Sequence, residues 1–289
     1  MGNGSEAGVL DDVVGYLRCP HCGNGLTRTD GSLRCPAGHC FDIARQGYVN
    51  LLQRGAAGGA GDTAAMVRAR REFLSTGYFA PIAVALADAA AASVAGRSKG
   101  CVVDVGAGTG YYLAALLARL SGHAGLALDV SRPALRVAAR AHGRIGAVGC
   151  DAWRPLPITD SAADLVLNVF APRDGAELRR ILRPEGRLLL VTPTTDHLIE
   201  LTGPLGLLHV DERKRDRLAG KLGPHFDLVG EREHRGVMSL DKPAVAALTA
   251  MGPAAWHTRP DVTAGLIALL PEPVTVTLAV TVSVLGPRR

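Results

Sequence analysis

Aromatic side chains are scarce in this sequence: Phe, Trp and Tyr together make up 4% of its 289 residues. Set beside abundant Ala and Gly, the deficit reads as a coding bias rather than a fold signal. No stretch of about 18 to 20 uncharged apolar residues occurs, so no membrane-spanning helix is expected. The opening residues, Met1 to Asp12, are small and acidic without a basic n-region, so no secretory signal is expected. A strong charge of either sign is also missing. The 32 Lys and Arg against 27 Asp and Glu leave a net +5, which permits a polyanionic partner without demanding one.

What is plentiful is apolar residue, 47% of the chain, enough for a packed core and too much for wholesale disorder. Of six cysteines, Cys19, Cys22, Cys35 and Cys40 gather near the start, while Cys101 and Cys150 sit in or beside strands expected to be buried. A disulfide framework suits short secreted chains, whereas this distribution points to a reducing cytoplasm.

The length suits one ordinary domain plus a small one. Residues 1–54 read as a Cys-rich, turn-rich zinc-binding domain, 55–98 as a linker with helices, and 99–289 as the larger domain. GAAGGAG at 55–61 is a flexible linker by composition. Asp62 is placed to cap a helix ending before Gly77, and a second helix is expected from about Pro81 to Val94. Strands are then expected at 101–105, 125–129, 145–150, 165–169 and 187–191. Helices alternate with them at 111–120, 133–141 (capped by Ser131) and 177–182. Short apolar strands separated by amphipathic helices imply an α/β fold with a parallel, doubly wound sheet. Residues 226–233 and the alternating run 274–285 predict a late antiparallel pair at the sheet edge.

Zinc takes four tetrahedral nitrogen or sulfur ligands, most simply from two knuckles. Cys19 and Cys22 form the first, and after twelve intervening residues Cys35 and His39 form the second. Cys40 is the alternative fourth ligand. With four positions filled, the site is structural and leaves no open catalytic position. Arg18, Arg28, Arg34, Arg45 and Arg54 surround it, with Phe41 and Tyr48 between them, a mixture that suits RNA loops.

The second motif is Asp104-x-Gly106-x-Gly108-x-Gly110, between an apolar run and a helix. It lacks the GxGxxG spacing of a dinucleotide loop, and a carboxylate precedes its first glycine. A cofactor with a cationic methionyl group and no phosphate benefits from that carboxylate. Asp129 ends the second strand, where it can take ribose hydroxyls, and Asp151 closes the third, where an adenine edge would lie. The set reads as an S-adenosylmethionine site on a Rossmann-like class I methyltransferase sheet.

At these residues the chain resembles the RlmA-type 23S rRNA guanine-N1 methyltransferases, in particular the actinomycete branch linked to tylosin-type macrolide resistance. The resemblance covers nearly the whole chain. It is carried by CPHC at 19–22, RCPAGH at 34–39, FDIARQGYVNLL at 41–52, MVRARREFLSTGYFAPI at 66–82, DVGAGTGYY at 104–112, NVFAPR at 168–173, TPTTDHLIEL at 192–201 and MGPAAWH at 251–257. It implies methylation of guanine N1 in the loop of 23S rRNA hairpin 35, at nucleotide 748 in preference to 745. It also implies cofactor contacts from Phe79, Gly108, Thr109 and His197, with Phe79 standing where the family commonly has Tyr. Asn168 is a candidate to hold the guanine edge. Asp174 is a candidate proton acceptor, with a helix cap as its other reading. A homodimer would help a small protein cradle the hairpin. The competing expectation is a small-molecule methyltransferase of antibiotic biosynthesis, with the zinc module as a partner surface.

Overall fold

The computed structural model describes residues 9–53, 61–207, 220–256 and 259–288. The linker expected at 55–61, apart from Gly61, lies outside the described residues, as do Arg54 and His257.

The framework is an eight-stranded sheet. Three short strands, β1 (Thr27–Thr29), β2 (Ser32–Arg34) and β3 (Cys40–Asp42), form a separate antiparallel sheet near the start. The large sheet contains β4 (Tyr48–Asn50), β5 (Gly100–Val105), β6 (His123–Asp129), β7 (Ile145–Gly149), β8 (Ala163–Val169), β9 (Leu182–Pro193), β10 (Phe226–Leu240) and β11 (Val274–Pro287). Their spatial order is β10-β11-β9-β8-β5-β6-β7-β4. The six strands from β9 to β4 run parallel, whereas β11 and β10 add on antiparallel, as expected.

From β5 the chain winds outward through β6 and β7, then returns to β8 on the other side of β5. The order therefore reverses between β5 and β8, and a crevice opens beyond the carboxyl ends of these strands. The central strands are apolar along their length because both faces are covered. Val102, Leu165, Leu167, Leu189 and Val191 point into one core; Cys101, Val103, Val105, Val166, Leu188 and Leu190 point into the other. Each fully buried leucine here contributes about 2 kcal/mol.

Helix α1 (Val9–Val13) packs beneath β7, so that a Cβ on Gly146 would lie 2.5 Å from Val13 Cγ2. Helix α2 spans Ala64–Ser75 and α3 spans Ala80–Ser93. The cap of α2 is Thr63, whose Oγ1 accepts from Met66 N at 3.2 Å, not Asp62. Asp62 instead receives Arg70 at 2.6 Å. Helices α4 (Tyr111–Arg119), α5 (Arg132–Ala138, capped by Ser131) and α6 (Gly175–Ile181) follow close to their expected places. β10 runs past its expected end at residue 233 to Leu240, and it carries a charged run, Glu231 to Arg235. That run occupies a sheet edge, where charged side chains protect an open row of backbone groups. Among the described residues no single helix is long and apolar enough to cross a membrane.

The small sheet is joined firmly to the large one. Arg18 N donates to Pro157 O at 3.0 Å, Thr159 N to Tyr16 O at 2.9 Å, and Gln53 Nε2 to Pro20 O. β4, inside the first 54 residues, is an edge strand of the large sheet, with Leu51 N donating to Gly149 O at 2.9 Å. The segment expected as one small domain is thus shared between two sheets.

Candidate functional site

At the zinc motif the Cys19, Cys22 and Cys35 sulfurs and one His39 ring nitrogen all lie within 4.8 Å of one another. Cys22 Sγ is 3.6 Å from Cys35 Sγ, and His39 Nδ1 is 3.3 Å from Cys35 Sγ and 3.6 Å from Cys19 Sγ. A tetrahedral zinc with bonds of about 2.3 Å to sulfur and about 2.0 Å to nitrogen spaces its ligand atoms about 3.5 to 3.8 Å apart. The donor set fits the ion. Cys40 is exposed and outside the cluster, for a local reason: it begins β3, where neighbouring side chains alternate between faces. The first knuckle closes through Gly23 N donating to Cys19 O, the second through Gly38 N donating to Cys35 O.

The basic surround is only partly as expected. Arg18 pairs with Asp160 and Arg28 with Asp11, while Arg34 and Arg45 are exposed. Tyr48 cannot offer a face to a base. It is buried in β4 under the large sheet's core, because that strand has left the small sheet. Phe41 stacks on His21 at 5.8 Å.

The second site lies at the switch point between β5 and β8. A cleft of about 210 Å³ is bordered by Gly106, Gly108, Asp129, Asp151, Trp153 and Phe170. A smaller cavity of about 50 Å³ adjoins it, bordered by Phe79, Asp104, Thr109, Tyr112, Phe170 and Met251. Arg70, Gly106, Gly108, Val169 and Phe170 line both.

The glycine loop is shaped by close approach. Gly106 has φ 78°, and a Cβ there would lie 2.5 Å from Ala171 Cβ. Asp129 accepts from Gly108 N and Ser131 N, both at 2.8 Å, which ties the loop to the end of β6. Each carboxylate oxygen keeps a further acceptor position for a hydroxyl. Asp104 is buried and its Oδ1 has no hydrogen-bond partner. Burial, reinforced by the nearby Asp129 charge, pushes its pKa up to about 8. An unpartnered buried carboxylate beside a cavity fits a cationic ligand group. Asp151 accepts from Trp153 N at 2.9 Å and borders only the larger cleft.

The remaining expected residues are distributed unevenly. Phe79 is buried and meets Phe73 edge-on at 4.9 Å. Gly110 borders neither cavity; it starts α4 and packs on Ala138. His197 also borders neither, but its ring lies 5.8 Å from Phe170 and 6.0 Å from Phe79. Its Nδ1 accepts from Ala279 N at 3.2 Å. Asp174 caps α6, accepting from Ala176 N at 2.9 Å and Glu177 N at 3.2 Å. Asn168 is fully buried, and its Nδ2 donates to Val105 O at 3.1 Å and Pro172 O at 3.0 Å. That amide holds the turn after β8 against the end of β5, which uses both donor hydrogens, while Oδ1 is buried without a hydrogen-bond partner. Asn168→Ala should destabilise the fold by about 1 to 3 kcal/mol, since one buried and one partly buried carbonyl lose their donor. Urea unfolding measures it.

Sequence reasoning missed Arg70, Asp62, Trp153 and Phe170. Arg70 lies beside Gly108 and bridges Asp62, eight residues before it, to the distant Met251 O at 2.9 Å, and the contacts with Gly108 and Met251 leave no local signal. Phe170 had one: an aromatic residue directly after a strand at the switch point.

Two family models match the chain. The zinc-ribbon model described as RlmA, N-terminal, covers residues 17–53, and a methyltransferase-domain model covers 102–186. The 23S rRNA (guanine(748)-N(1))-methyltransferase of Streptomyces fradiae is 50% identical over 96% of this chain and 98% of its own. A Micromonospora griseorubida protein, provisionally named as a 23S rRNA (guanine-N(1)-)-methyltransferase, is 52% identical over 93% of this chain and 96% of its own. A solved structure of a Bacillus halodurans protein, provisionally named as a methyltransferase, is similar in fold at TM-score 0.50. It is 15% identical and covers 69% of this chain and 97% of its own.

Proposed function

Because the chain belongs to the RlmA-type 23S rRNA (guanine-N1)-methyltransferases, we propose that it methylates guanine 748 in the loop of hairpin 35. Protection against tylosin-type macrolides is the proposed consequence. The observation that carries this reading is half-identity along nearly the full length to an enzyme whose name specifies that nucleotide and atom. A ribbon that fits zinc and a cleft that fits S-adenosylmethionine, held on one frame, support it. The same reading includes a homodimer, which sedimentation tests, and a cytoplasmic location, where ribosomal subunits assemble.

The cofactor supplies an electrophilic methyl on a sulfonium. Asp104 and the loop at Gly106, Gly108 and Thr109 would hold its methionyl end, with Phe79 and His197 alongside. Asp129 would take the ribose hydroxyls and Asp151 the adenine edge. Gly110 sets the start of α4 behind the loop. Asn168 and Asp174 act at a distance, one by clamping the turn after β8 and the other by capping α6. Much of the rate then comes from holding two reactants in register, with the target base taken out of its stack.

The test is transfer of labelled methyl to a hairpin-35 transcript, with primer extension to locate the block. A stop at 748 is expected, because N1 methylation destroys Watson–Crick pairing. A stop at 745 would move the enzyme to the family's other specificity. Label in a macrolide and none in RNA would replace this reading with the small-molecule one.

Asp104 also predicts a pH dependence. Its folded pKa of about 8 lies above the unfolded value, so between about pH 4 and 8 the folded state holds a proton that the unfolded state has lost. Stability of the unliganded protein contributed by this group therefore falls as pH rises across that window. Affinity for the cationic cofactor should move the other way and strengthen towards pH 8, as the carboxylate becomes charged. Titration calorimetry at pH 6, 7 and 8 checks this, and Asp104→Asn should flatten the profile.

A further inference from the structure

β8 ends at Val169, and the next residue, Phe170, has φ 52°. A left-handed backbone is uncommon for a bulky residue and persists only where its surroundings impose it. Here the imposing contacts are visible. Phe170 N donates to Val191 O at 3.3 Å. Pro172 O is held by Asn168, Ala171 O accepts from Arg173 at 3.0 Å, and Ala171 lies against Gly106. The turn is clamped on both sides of the residue.

The result is an aromatic residue left 39% exposed in a chain with few of them. Its ring lies nearly parallel to the His197 ring, at 5.8 Å and 19°. It also borders both cavities. The adenine-side residues Asp151 and Trp153 border only the larger cleft, and Asp104 and Phe79 only the smaller. A sulfonium joins the adenosyl and methionyl halves of the cofactor, so the residues shared by the two cavities mark where a methyl is presented. Among the described residues Phe170 is the only aromatic one that borders both. A flat apolar face held open there, on a constrained backbone and backed by a second ring, fits a flat partner.

We infer that Phe170 is the platform on which the guanine base stacks for methyl transfer, with His197 bracing the ring from behind. This rests on the RNA reading above. Strain at the turn fixes the ring's direction before RNA arrives, so base placement needs no reorganisation of the loop.

The experiment compares wild type with Phe170→Ala, Phe170→Gly and Phe170→Tyr, reading kcat and KM for the hairpin-35 transcript, cofactor affinity by calorimetry, and thermal stability. Glycine suits φ 52°, so Phe170→Gly removes the ring while relaxing the backbone and separates loss of stacking from misfolding. For Ala and Gly, kcat/KM for the transcript should fall about 10- to 100-fold, the scale of one base–aromatic stack. Cofactor affinity should stay within about threefold for both, and Phe170→Tyr, which keeps the flat face, should recover most of the loss. Two results overturn the inference while sparing the RNA reading: Phe170→Gly methylating within threefold of wild type, or cofactor affinity falling in step with the rate. Cofactor binding by wild type without any label in RNA would remove both.

Discussion

Cys35→Ser is expected to abolish methylation of the hairpin transcript while cofactor affinity stays within about threefold. The ribbon's own strands are three residues each, and its sequestered side chains are few: Leu17, Cys19, Leu26, Leu33 and Cys35. Those few side chains join the core under the large sheet and form none of their own, so the loops that carry the thiolates depend on bound zinc for much of their order. Structural zinc contributes about 10 to 16 kcal/mol in isolated fingers, and removing one thiolate forfeits most of it. The cofactor cleft should survive because nothing in the ribbon lines it. β4 should stay too, since Val49 and Leu51 are buried in the large sheet's core. Zinc content, calorimetry and methyl transfer measured on one preparation check all three points. Full methylation by a zinc-free protein would show that the ribbon plays no part in RNA recognition.

Gly106→Ala should show the opposite pattern, losing cofactor binding while the ribbon keeps its zinc. The position has φ 78°, which costs a side-chain-bearing residue roughly 1 to 2 kcal/mol. The added methyl would also stand 2.5 Å from Ala171 Cβ, and such overpacking typically costs about 1 to 3 kcal/mol. Together they amount to about 3 kcal/mol, or a melting temperature lower by about 5 to 10 °C. Relief comes only by moving the glycine loop or the 170–172 turn, and either shift misplaces the groups around the cofactor. Cofactor affinity should fall at least about tenfold, since 1.4 kcal/mol of misfit already does that. A variant that binds as wild type does would mean that the loop and turn are looser than their packing implies.

The ligand spacing and the glycine loop were legible in the sequence because each depends on neighbours a few residues away. Two Cys-rich turns place four donors whatever the rest of the chain does, and a strand, a glycine run and a helix make a loop wherever they occur. Alternation of short apolar strands with helices likewise determined the doubly wound sheet, and the motifs in their order determined the family resemblance. Contacts between distant segments were not legible. Only the tertiary structure placed β4 beside β7, which buried Tyr48 and took it from the RNA-facing list. It paired Arg70 with Asp62 and so left the capping of α2 to Thr63. It committed the amide hydrogens of Asn168 to clamping a turn, and it aimed Phe170 at the junction of two cavities. Even the short-range pairs among these, Arg70 with Asp62 eight residues away and Asn168 with Pro172 four away, depend on how the helix and the turn are packed. Local geometry follows from backbone sterics and short-range hydrogen bonds, whereas a side chain's partner depends on which remote element packs against it.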